Sequence, residues 1–163
     1  MSSMIIKPAT LDDLKYIDSL AKGESKSLGF IPKARYEASI VGRRMKEPSQ
    51  PACNDKLIMC FENDDPVGFV LGSQTKVHQI VLQEDARMLE RGKALLKEYI
   101  DDSLIKGYRT FSCGCADDLE SNVFWKAMGW DKVSERNGIY YGTSKQSSKR
   151  KINNYIYVVD GLF

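Results

Sequence analysis

Residues 77–100 read VHQIVLQEDARMLERGKALLKEYI, and the fold turns on this stretch. An apolar alternation from Lys76 ends at Leu82, a short polar segment follows, and a helical pattern begins around Glu90 to Gly92. Leu96, Ile100 and Leu104 then recur at i, i+4 and i+8, giving that helix one apolar face. Strict alternation along the strand places His78, Ile80 and Leu82 on one face and Val77, Gln79 and Val81 on the other. A helix N-terminus carries unpaired backbone N–H groups and the positive end of the helix dipole. That is a natural seat for a pyrophosphate, and Gly92 would let such a ligand approach the backbone. Arg87, Arg91 and Lys93 surround the same turn with positive charge. Strand–loop–helix units with a basic first turn also occur with no ligand, so the spacing alone leaves both readings open.

Working outward, LIMCFE and VGFVLG flank the turn Asn63-Asp64-Asp65-Pro66 and read as a β-hairpin. Before them, Met4 to Lys7 forms a short strand, and Thr10 to Asp13 a capping box opening a helix with Leu11, Leu14, Ile17 and Leu20 on one face. Gly23 ends it, and Pro32 opens a second helix on which Tyr36, Ile40 and Arg44 share a face. After the central segment come a strand at Thr110 to Cys115, a helix from Leu119 to Met128 stopped by Gly129, and strands at Asp131 to Arg136 and Ile152 to Val159. Between these last two, residues 137–151 are rich in Gly, Ser and Lys and read as a mobile basic loop. The tally is α/β: strands paired antiparallel at first, then joined through helices, in one domain over 1–163.

Composition sets the bounds. A chain of 163 residues with 42% hydrophobic and 28% charged side chains suits one globular domain. A formal net charge of +2 is too small to predict a polyanion partner. No apolar run approaches the roughly 18 residues of a membrane span. The opening MSSMIIKPATLDDLK lacks the pattern of a signal peptide, so the expected location is the cytoplasm. Cys113 and Cys115 lie two apart on one strand face, poorly placed to bond each other, and with Cys53 and Cys60 are expected as reduced thiols with no metal.

The pattern Arg/Gln-x-x-Gly-x-Gly/Ala falls on Arg87-Met88-Leu89-Glu90-Arg91-Gly92, followed by Lys93, and the apolar strand end Ile80-Val81-Leu82 precedes it. SNVFWKAMGW then supplies Asn122, an aromatic pair Phe124-Trp125, and Gly129-Trp130. Together with IIKPATLDDLKYIDSLA at the start, these stretches resemble GNAT N-acetyltransferases in order and spacing over most of residues 4 to 136. The resemblance implies a mixed, splayed sheet of about six or seven strands flanked by about four helices. It also implies acetyl-CoA as co-substrate, its pantetheine arm along Ile80 to Leu82, its pyrophosphate at Arg87 to Lys93, and Asn122 and Trp125 close by. Two positions depart from the family pattern. Glu90 stands where the loop's first glycine belongs. Trp125 stands where many members carry a tyrosine held to protonate the departing thiolate, and an indole N–H has no useful acidity.

By resemblance, an amine attacks the thioester directly where the strands ending at Leu82 and Cys115 splay apart, and a backbone N–H near Ile80 to Leu82 polarises the carbonyl. Two residues are candidates for the base: His78, the sole histidine, whose ordinary pKa suits proton transfer near neutrality, and Glu84 just past the strand. The acceptor is a small-molecule or peptide amine, with no membrane partner. Two other readings stay open: a coenzyme A-binding member that does not catalyse, and a nucleic-acid-associated protein using Lys145 to Lys151, although no nucleic-acid recognition motif is present. A second copy of the chain, making a homodimer, is also an open partner.

Overall fold

The computed structural model describes residues 3–24, 31–42, 55–83, 89–141 and 147–160. Strand β1 is Met4–Pro8; a 3-10 turn at Leu11–Asp13 leads into α1, Leu14–Gly23. The turn is closed by Thr10 and Asp13, with the Thr10 backbone N–H donating to the Asp13 carboxylate at 2.8 Å, the capping box expected from the sequence. Helix α2, Lys33–Val41, stops at Gly42, whose φ of +79° is a left-handed cap that glycine adopts without strain. Arg44, expected on its face, lies outside the described residues.

Strands β2 (Lys56–Glu62), β3 (Asp65–Gly72) and β4 (Lys76–Leu82) form an antiparallel meander. The β2–β3 turn places Asn63 and Asp64 at positive φ, the geometry that matches the twist of a two-residue hairpin. Helix α3 is Leu89–Ile105, β5 is Thr110–Ala116, α4 is Ser121–Ala127, and β6 (Asp131–Tyr141) and β7 (Ser147–Val158) close the chain. The sheet order is β1-β2-β3-β4-β5-β7-β6, seven strands in all. The mixed sheet and the four α-helices among the described residues match the expected class.

Two apolar layers cover the sheet. On one side Leu95, Leu96, Tyr99 and Ile100 of α3, with Trp125 and Trp130, pack on Ile58, Cys60, Val70, Val77 and Cys113. On the other, Ile17 and Ala21 of α1 and Tyr36 of α2 pack on Leu57, Met59, Phe69, Leu71 and Val81. Cys113 and Cys115 share the first layer, as their spacing predicts; burial pushes the Cys113 thiol up, so it stays protonated and packs as an apolar group.

The segment 137–151 departs from its reading as a loop. The β6–β7 ladder continues outward from Arg136↔Ile152 to Tyr141↔Ser147, and Lys151 Nζ pairs with the Glu135 carboxylate at 3.2 Å. Ladder hydrogen bonds come from the backbone, so a stretch rich in Gly, Ser and Lys can extend a hairpin without an apolar pattern to announce it. Residues 142–146, which include Lys145, lie outside the described residues.

Candidate active site

The parallel pair β4 and β5 is joined only at its start, through Lys76↔Ser112 and Val77↔Cys113. Beyond this, β4 continues to pair with β3, and β5 pairs with β7 from Thr110 to Ala116. The sheet therefore parts into two halves, and a cleft opens between the C-terminal ends of β4 and β5.

The parting begins at a β-bulge. Gly72 of β3 faces Val77, and Leu71 faces Gln79, which leaves His78 as an extra residue in β4. This overturns the expected alternation. Val77 belongs to the same layer as Ile80 and Leu82, whereas Val81 belongs to the opposite one. His78 does not share the Ile80 and Leu82 face: its Nε2 lies 3.6 Å from Asp55 Oδ1, and Arg35 of α2 grips the same carboxylate. His78 is thus on the α2 side of the sheet. Burial holds its pKa below the ordinary histidine value; Asp55 opposes that shift, and Arg35 and Lys76 add to it.

The strand edge can be followed atom by atom. Gln83 N–H donates to Val67 O at 2.9 Å across the β3 side. Backbone groups alternate along a strand, so those of Val81 also face β3, and those of Ile80 and Leu82 face the cleft. Val81 is therefore turned away, with its side chain buried at 4% exposure. Ile80 presents an N–H where β5 has already diverged.

Glu84, Arg87 and Met88 lie outside the described residues, as does the side chain of Leu89. Among the rest of the loop motif, Glu90 and Lys93 are exposed at the first turn of α3, so the carboxylate in the glycine position is in solvent. Arg91 is not a free cation: its Nε donates to Glu62 Oε2 at 2.7 Å, and its second nitrogen bonds the other carboxylate oxygen. Gly92 also has a different occupation from the one expected. A Cβ there would sit 2.7 Å from Phe124 Cε1, so the missing side chain admits the α4 ring and does not open toward a ligand. Among the described residues, the backbone amides of the first helical turn and the exposed Lys93 could serve a phosphate.

Asn122 is spent internally. Its Nδ2 donates to Ala116 O and Leu119 O, and its Oδ1 accepts from Asn153 Nδ2 at 3.0 Å and Tyr155 O–H at 2.7 Å. Those bonds lock α4 onto β5 and β7, which makes Asn122 a positioning residue for the cleft wall. Trp125 is 4% exposed and lies in a run of rings, with Phe124 at 5.2 Å and Trp130 at 4.7 Å, while Trp130 stacks on Tyr157. Sequence inspection missed Asp55, Arg35 and the Tyr36–Gln79 bond of 2.7 Å. No local spacing signals them, because each contact joins segments remote in the chain.

This architecture is the one that solved acetyltransferase structures share. The chain has the GNAT fold. It is similar to an N-acetyltransferase from Staphylococcus aureus Mu50, with 18% identity, coverage of 96% of this chain and 98% of that one, and a TM-score of 0.72. Arabidopsis thaliana NAA60, solved with a bisubstrate analogue, superposes with a TM-score of 0.76 at 12% identity over 98% of this chain and all (100%) of that one. A GNAT superfamily phosphinothricin acetyltransferase from Sinorhizobium meliloti, solved with acetyl-CoA, gives 0.72 at 14% identity over 96% and 88%. No protein-family model matches the sequence, and no curated protein does. Among the described residues, no helix is long and apolar enough to cross a membrane.

Proposed function

We propose that this protein is an N-acetyltransferase that moves the acetyl group of acetyl-CoA to a primary amine by direct attack. The observation that carries the proposal is the parting of β4 from β5 after Val77, which leaves a backbone edge facing a cleft at the end of which α3 begins. A pantetheine arm carries amide groups suited to such an edge, and a pyrophosphate suits the helix N-terminus beyond it. The Ile80 N–H, on the edge that β5 has left, would serve as the donor to the thioester carbonyl. One such donor is worth about 3–4 kcal/mol to the developing oxyanion.

His78 is the base. It accepts a proton from the attacking ammonium; the nitrogen lone pair forms the C–N bond, the C–S bond breaks, and the thiolate takes the second nitrogen proton. With Trp125 in the ring stack and without acidity, that last proton travels from the nucleophile or through solvent. Burial of His78 favours its neutral form near pH 7, the form a base requires.

A second reading is favoured by the same tryptophan: a protein that holds coenzyme A without transferring from it. Thiol release from acetyl-CoA, followed spectrophotometrically against a panel of amines, separates the two. Turnover with one or more amines supports the transferase. Thermal protection by acetyl-CoA without turnover on any amine replaces it with the binding protein, and absence of both removes the coenzyme site.

A further inference from the structure

We propose that Asp55, held by Arg35, positions the His78 ring for proton transfer, making a relay of three side chains on the α2 side of the cleft. The proposal rests on His78 being the base of the acetyl transfer set out above, and it adds two residues that lie outside every motif of the sequence. The geometry divides the Asp55 carboxylate between two partners. Arg35 Nε and one terminal nitrogen both donate to Oδ2, at 3.2 and 3.0 Å, leaving Oδ1 facing His78 Nε2 at 3.6 Å. That last separation is longer than a hydrogen bond, and catalytic contacts of this kind tighten when substrate binds. The side chains of Asp55 and His78 are only 14% and 24% exposed, so the pair is shielded from competing water.

The bulge is what allows the contact. Without the extra residue, position 78 would point to the α3 layer, away from Asp55. The α2 helix then grips both bulge-side residues with consecutive side chains: Arg35 reaches His78 through Asp55, and Tyr36 O–H donates to Gln79 Oε1 at 2.7 Å. Three charged groups face the imidazole: Asp55 from the segment entering β2, Arg35 from α2, and Lys76 from β4 itself. Only Asp55 favours the protonated ring. An Nε2–H donated to Asp55 fixes the neutral tautomer and leaves the Nδ1 lone pair as the proton acceptor. When that lone pair takes the ammonium proton, the imidazolium already faces a carboxylate.

His78 is the only histidine in the chain, so its nitrogens can be observed without assignment by long-range proton–nitrogen NMR. The wild type should show the Nε2–H tautomer near neutral pH. Asp55→Asn should abolish that preference and lower the titration midpoint, since the one favourable charge is gone and Arg35 loses its counter-charge. Arg35→Gln should raise the midpoint, and it carries the test if Asp55→Asn does not fold. With an amine that turns over, Asp55→Asn should lower kcat roughly 10-fold or more, displace the acid limb of the profile to lower pH, and leave KM for acetyl-CoA unchanged. An unchanged tautomer and midpoint in Asp55→Asn, or a lowered midpoint in Arg35→Gln, overturns the pairing. NMR changes with an unchanged kcat overturn the role in proton transfer. If no amine turns over on the wild type, the acetyl-transfer reading itself fails, whatever the NMR shows.

Discussion

Replacing Asn122 by alanine removes a carboxamide all of whose hydrogen-bonding groups are in use. The two carbonyls it serves keep other donors, because Leu119 N–H reaches Ala116 O and Asn122 N–H reaches Leu119 O. The loss therefore falls on the other side: Tyr155 O–H and Asn153 Nδ2 lose their acceptor. Tyr155 is 0% exposed and Asn153 is 7% exposed. A buried donor left without a partner costs about 1–3 kcal/mol, so the pair amounts to roughly 2–6 kcal/mol, with water entering at half-buried Asn122 favouring the lower half. For a chain of this size each kcal/mol is about 2–4 °C, placing the expected drop in Tm near 4–15 °C. Urea unfolding followed by tryptophan fluorescence reads the change directly, since Trp125 is part of α4 and Trp130 packs against it. Tyr155→Phe made on top of Asn122→Ala should cost about 1 kcal/mol less than it does in the wild type. A loss under about 0.5 kcal/mol combined with a fall in acetyl-CoA affinity would refute the internal role and make Asn122 a ligand contact.

Trp125→Ala should cost about 3–5 kcal/mol by opening a cavity in the ring stack, while Trp125→Phe keeps the ring contacts and most turnover; complete loss of turnover in a stably folded Trp125→Phe would mean that the indole N–H is chemically required. Gly92→Ala gains helix propensity, yet its Cβ meets Phe124 at 2.7 Å, and the overpacking should win by about 1 kcal/mol in thermal unfolding. A neutral or stabilised variant would show that the α4 ring gives way freely. Because burial lowers the His78 pKa in the folded state, the stability it confers is full above its unfolded value of ~6.5, decays as pH falls from there, and is gone below the folded pKa. His78→Gln should flatten that part of the stability profile. Parallel wild-type and variant profiles between pH 7.5 and about 5 would contradict the burial effect.

Much of the fold was legible because local chemistry and global packing agree. Lys76–Leu82 was bounded by its own alternation, the β2–β3 hairpin by its Asn-Asp turn, and α3 by the apolar spacing of Leu96 and Ile100. The bulge was not legible, and the reason is instructive. Val77, Gln79 and Val81 are all buried, at 4%, 3% and 4%, so burial alternates as the sequence suggests. Yet Val77 is buried under α3 and Val81 under α1 and α2, and alternation of burial cannot report which layer does the covering. Gly92 and Asn122 were found by motif, but their work is defined by Phe124, Asn153 and Tyr155, whose positions only the tertiary fold supplies. Asp55 reaches His78 across the β2–β3 hairpin, with no periodicity connecting them.

The extra residue in β4 also constrains how this chain can change. Substitution at position 78 leaves the count of residues intact, so the strand keeps its offset and the cleft keeps its opening. Deleting one residue between Val77 and Gln79 is a different event: it would bring the ladder back into step, let β4 run on beside β5, and seal the parted edge with the sheet's own hydrogen bonds. The healed sheet would gain backbone pairs, so stability and an open cleft pull in opposite directions at this point. The bulge and the start of the opening coincide at Val77, so the number of residues in β4, as well as their identity, is a variable on which the opening can be tested.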